Sequence, residues 1–115
     1  MRATLALGIG VAVLVAAACG SSTSPANSCG SSGATANINT TSSNTFSPDH
    51  ATITHGQSVC WQASSVTHTV TSDNGLFNTS LPAGQIFVYT FATAGSYPYH
   101  CTIHAPGMTG VITVN

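Results

Sequence analysis

The segment Cys101-Thr-Ile-His104-Ala-Pro-Gly-Met108, with His68 upstream, supplies one thiolate, two imidazoles and one thioether. Thiolate and thioether sulfur suit Cu(I), while imidazole suits copper in either oxidation state. A site built from both kinds of donor can hold both states with little rearrangement. Two His and one Cys in a trigonal set, with a weak axial Met, are the donors of blue-copper electron-transfer sites. The same four could hold Zn(II) tetrahedrally, although the affinity order and the softness of sulfur favour copper. Each residue alone has a plainer reading as a core Cys, a core Met or a hydrogen-bonded His. The joint pattern is what points to a metal.

Such donors need elements that bring them together. Tyr97, Tyr99 and Cys101 alternate, so on a strand they share a face, and Pro98 and His100 point the other way. Gly110, Ile112 and Val114 alternate again beyond the motif. Between these runs Pro106-Gly107 forms a turn, so one chain reversal places Cys101, His104 and Met108 around a point. His68 must arrive from a separate strand, which makes the site a product of the fold.

Further strand signals recur at short intervals. The sequence predicts strands over 35–40, 51–54, 58–62, 68–72, 85–91, 96–100 and 109–114. Phe87, Tyr89 and Phe91 share one face, as do Val59 and Trp61, and both sets are expected to point into a core. Asp73-Asn-Gly75, Pro82-Ala-Gly84 and Ala92-Thr-Ala-Gly95 read as turns. No helical periodicity follows the first residues, so the fold class is all-β, a sandwich.

The matching residues Phe46-Ser-Pro48, Gly56 to Trp61, Val66-Thr-His68-Thr-Val70, Gly95-Ser-Tyr97-Pro-Tyr99-His-Cys101 and Met108-Thr-Gly110-Val-Ile-Thr-Val114 extend the pattern. With them, the stretch 39–115 resembles a small cupredoxin of the plastocyanin, amicyanin and pseudoazurin kind, over roughly two thirds of the chain. The resemblance implies a Greek-key β-sandwich of about seven or eight strands with one type 1 copper near one end. It implies Cys101 as the thiolate ligand, His68 and His104 in the trigonal plane, and Met108 along the axis. One departure stands out: many members carry Asn directly after the first ligand His, where its amide steadies the Cys loop, and this chain has Thr69.

Organisation and compartment follow from composition. Residues 1–18 read as a secretory signal, Met1-Arg2 followed by an apolar run of about 14 residues, short of the roughly 20 that span a bilayer. Ala16-Ala-Ala18 before Cys19 fits ordinary signal cleavage, and the same place resembles a bacterial lipoprotein box, with Ala16 where that box prefers Leu. The expected location is therefore extracytoplasmic, periplasm or cell surface, with lipid anchoring at Cys19 as one of two alternatives. Residues 19–36, rich in Ser, Gly, Thr and Asn, read as a flexible tether, and 37–115 as the copper domain. Roughly 80 residues bury roughly 60% of their surface, enough for a small sandwich.

With Cys101 assigned to metal and Cys19 to the cleavage point or a lipid, Cys29 and Cys60 remain. In an oxidising compartment they would form a disulfide contributing about 3 kcal/mol; the alternative is two free thiols. By parity with Val59 and Trp61, Cys60 faces away from the main core.

Arg2 is the only Lys or Arg, and Asp49 and Asp73 are the only acidic residues. Nucleic-acid binding, which needs cations to neutralise phosphates, is disfavoured, and so is strong electrostatic steering of a partner. An apolar patch of Ala105, Pro106 and Met108 around His104 is expected to receive a redox partner protein. His50 and His55 read as surface residues, and His100 as facing outward. The chain is expected to be a monomer and not an enzyme, with no second ligand cluster or open coordination for substrate. One-electron transfer in the cell envelope is the leading expectation. The alternative is a periplasmic copper chaperone or storage protein, against which stand only two methionines, Met1 and Met108.

Overall fold

In the last third of the chain, burial alternates with a period of two. Tyr97 and Tyr99 are buried while Pro98 and His100 are half-buried, and Gly110, Ile112 and Val114 are buried while their neighbours are not. Such alternation belongs to strands with one face on a core. The computed structural model of the protein describes residues 28–115. Among the described residues nine strands form, in chain order β1 (Ala36–Thr40), β2 (Phe46–Ser47), β3 (His50–Ile53), β4 (Ser58–Gln62), β5 (His68–Ser72), β6 (Asn78–Leu81), β7 (Ile86–Thr90), β8 (Gly95–His100) and β9 (Thr109–Val114). A 3-10 turn at Cys29–Ser31 is the one helical element among the described residues.

The strands make two sheets, one in the order β2-β1-β4-β7 and the other β3-β9-β8-β5-β6. The chain crosses repeatedly between them, from β2 to β3, β3 to β4 and β4 to β5, which makes this the expected Greek-key sandwich. Seven of the strands lie within a residue or so of their predicted places. The two missed by sequence are β2 and β6. The first has two residues, and the second, Asn78-Thr-Ser-Leu81, offers a single apolar side chain.

Between the sheets, Trp61 is fully buried and meets Tyr99 at 5.3 Å, edge to face, Phe87 at 5.6 Å and Phe77 at 5.6 Å. Phe46 closes on Tyr99 at 4.8 Å. Offset and edge-on contacts of this kind add to the burial of the rings. Burial also pushes the Tyr99 phenol well above its usual pKa, so it remains a neutral core side chain. Tyr99 sits opposite Gly110 across β8 and β9, and any Cβ at Gly110 would run into the phenol ring.

Strand β4 departs from strict alternation because Val59, Cys60 and Trp61 are all fully buried. Val59 and Trp61 belong to the core, and Cys60 does not. Cys60 is covered from outside by Cys29, to which it is joined by a disulfide with Cα atoms 5.5 Å apart, while the Cys29 amide donates to Gln62 Oε1 at 3.1 Å. Part of the stretch expected as a tether is thus bonded onto the outer face of the first sheet. The signal segment, Cys19 and the rest of that stretch lie outside the described residues.

Candidate metal centre

His68 opens β5, paired in register with Leu81 of β6 and fully buried. Cys101 follows directly after β8, and Met108 directly precedes β9. The amide of Cys101 donates to the carbonyl of Met108 at 3.0 Å, which closes the intervening loop at its base. Cys101 and Met108 are fully buried, whereas His104, in the middle of the loop, is half-buried.

Three donor atoms converge. His68 Nδ1 and His104 Nδ1 are 3.1 Å apart, and Cys101 Sγ lies 3.8 Å from His68 Nδ1 and 3.5 Å from His104 Nδ1. Donors bound to one first-row ion at about 2.0–2.3 Å stand apart by distances of this order. Both histidines therefore present Nδ1, not Nε2, to the common point. Burial lowers the pKa of His68 from its ordinary value, and the neighbouring His104 lowers it further. A neutral imidazole with a free lone pair results. No other group of three or more His, Cys, Asp or Glu side chains with this convergence occurs among the described residues.

Thr69 buttresses the thiol. Its amide donates to Cys101 Sγ at 3.3 Å, and its hydroxyl oxygen accepts the amide of Thr102, the residue after Cys101, at 2.8 Å. The place where the resemblance leads one to expect Asn is thus filled by a side chain that still ties the Cys loop to β5. The sequence named Thr69 as a departure but carried no signal for these bonds, because a hydroxyl's partners depend on the register between β5 and the segment after β8.

The remaining histidines stand apart from the cluster. His100 points outward, with Nδ1 2.5 Å from Asp73 Oδ1, His50 pairs with Asp49 at 3.2 Å, and His55 is exposed. One sequence expectation needs correcting. Met108 is fully buried and packs in the hydrophobic core, so it contributes nothing to an outer patch. Ala105 and Pro106, next to His104 in the chain, are exposed and line a hollow with Asp73, His100 and Thr109. Ile103, on the other side of His104, is 54% exposed, which was not anticipated from sequence.

An all-β two-sheet sandwich with a sulfur and imidazole donor cluster at one end defines a class, and the donor set is that of a type 1 copper centre. The chain belongs to the cupredoxin-like domain family, whose model matches residues 10–114. Among solved structures it is similar to amicyanin from Paracoccus versutus, at 26% identity and a TM-score of 0.63 over 73% of this chain and 83% of that one. A purple cupredoxin from Nitrosopumilus maritimus is 33% identical, with a TM-score of 0.61 over 70% of this chain and 99% of that one. A copper-containing nitrite reductase from Thermus scotoductus matches at 26% identity and a TM-score of 0.62, over 70% of this chain but 22% of that one. No curated protein matches the sequence.

Proposed function

We propose that the protein carries single electrons through one copper ion held by His68, Cys101, His104 and Met108. The observation that carries this is the convergence of two Nδ1 atoms and one Sγ within 3.1–3.8 Å of one another, buried except at His104. Copper, when bound, supplies a one-electron Cu(I)/Cu(II) couple. The protein's contribution is to hold mixed sulfur and nitrogen donors in a prearranged cluster that accepts both states. His68 and Cys101 are sealed from water, and the edge of His104 is the route by which an electron reaches the surface. Ile103, Ala105 and Pro106, exposed chain neighbours of His104, are the apolar residues on which a redox partner protein would dock.

The likeness to amicyanin supports electron carriage. The likeness to nitrite reductase spans only 22% of that enzyme's chain, so it gives no ground for assigning this chain the enzyme's activity. The Cys29–Cys60 disulfide supports an oxidising, extracytoplasmic compartment, to which residues 1–18 would direct the chain. No helix among the described residues is long and apolar enough to cross a membrane, and anchoring through a lipid on Cys19 belongs to the same proposal.

Titration of the protein with Cu(II), followed by absorption and EPR spectroscopy and ascorbate reduction, tests the function. Intense thiolate-to-copper charge transfer with narrow hyperfine splitting, bleached reversibly, is the expected result. Weak colour with a tetragonal copper signal would exclude Cys101 as a ligand and leave copper handling as the function.

A further inference from the structure

The hydroxyl of Thr69 has partners beyond the Cys loop, and they give it a direction. Thr71, two residues on along the same face of β5, has its Oγ1 3.1 Å from Thr69 Oγ1. Thr71 donates to Asn78 Oδ1 at 3.0 Å, and Asn78 is its paired residue on β6. A hydroxyl has one proton to give and two lone pairs to accept with. Thr71 gives its proton to Asn78, so towards Thr69 it can only accept. Thr69 must then donate to Thr71, which leaves its lone pairs for the Thr102 amide at 2.8 Å and the Thr102 hydroxyl at 3.1 Å. The bonds run one way, from Thr102 through Thr69 and Thr71 to an amide oxygen that has no proton to return. Chains of this kind polarise and strengthen their members.

We propose that Thr71 and Asn78 are positioning residues for the metal centre. Acting through Thr69, they hold the residue after Cys101 in place and keep the thiol sulfur against the Thr69 amide, 3.3 Å away. Neither residue touches His68, Cys101 or His104 through a hydrogen bond, yet both set the orientation of the hydroxyl that does the tethering. An N–H bond to sulfur draws electron density from the thiolate, and slackening it lets the thiolate donate more strongly to oxidised copper. The spectroscopic half of this inference rests on the copper assignment; the hydrogen-bonding half does not.

The variants Thr71→Val, Asn78→Leu, Thr71→Ser and Asn78→Asp test it. In copper-free protein, Thr71→Val and Asn78→Leu should speed hydrogen exchange of the Thr102 amide about fivefold, the step that follows from losing one net hydrogen bond. After Cu(II) loading, both should shift the thiolate charge-transfer band and lower the reduction potential. Asn78→Asp keeps an acceptor oxygen and should restore slow exchange, and Thr71→Ser keeps the hydroxyl and should restore exchange, band and potential. Unchanged Thr102 exchange in both Thr71→Val and Asn78→Leu would overturn the proposal, and so would faster exchange with an unmoved band and potential. Wild-type protein that takes up Cu(II) without a thiolate band would instead overturn the copper assignment, and Thr102 exchange would still decide whether the one-way chain exists.

Discussion

His68 must be neutral to offer Nδ1 to a metal, and its burial keeps it so. In the unfolded chain this imidazole gains a proton near 6.5, whereas in the fold it resists protonation to lower pH. Below 6.5 the unfolded state therefore binds more protons than the folded one, and stability falls as pH drops. The copper-free protein should lose up to about 1.4 kcal/mol of stability from this group for each pH unit between the two pKa values. Thermal melts from pH 7.5 to 5 check this, and a melting temperature that rises on acidification would contradict it. At Met108 the expectation concerns the couple itself. If Met108 is a weak donor to the bound ion, as proposed, Met108→Leu would remove a ligand that favours the electron-poor oxidised state, so copper should stay bound while the reduction potential rises by roughly 50 mV. That is close to a tenfold change in relative affinity for a one-electron couple, and cyclic voltammetry reads it directly. Cys101→Ser, by contrast, should abolish the thiolate band altogether.

At the scale of elements, the junction of β8 and β9 carries the most. Tyr99 and Gly110 lie opposite each other, and the ring occupies the space where a side chain on Gly110 would go. Gly110→Ala should displace Tyr99 from Trp61 and Phe46 and cost about 1–3 kcal/mol, as overpacking of a close-packed core does. Chemical denaturation measures it, and an unchanged midpoint would show that the strand pair yields more easily than the contacts imply. The sequence made this junction legible because Tyr97, Tyr99 and Cys101 alternate in step with Gly110, Ile112 and Val114. It hid β6, where Asn78, Thr79 and Ser80 offer no apolar period and pair only because β5 supplies a partner. Three of the proposed donors were readable from one short loop. The fourth, His68, was named with them, but its approach to Cys101 depends on a separate strand and no local spacing ties the two. The hydroxyl chain beside it was illegible for the same reason, as Thr69, Thr71, Asn78 and Thr102 meet only through strand register.

On the scale of the whole molecule, charge is nearly absent. The described residues include no Lys or Arg, and Asp49 and Asp73 each lie against a histidine. Association with a partner should therefore depend weakly on ionic strength. Ala105→Glu would put a carboxylate into the proposed docking face beside His104. Stopped-flow transfer to the partner should then slow about tenfold with an unchanged copper spectrum, and an unchanged rate would place docking elsewhere. The Cys29–Cys60 bond has a mechanical consequence as well. It joins the first described residues straight to the middle of β4, beside Trp61 in the next position. A pull on the chain ahead of Cys29 is passed through a covalent bond into the centre of the first sheet, and residues 30–59, including β1 at its neighbouring place in that sheet, are spared the tension. A strand that would otherwise be the first to peel is taken out of the load path.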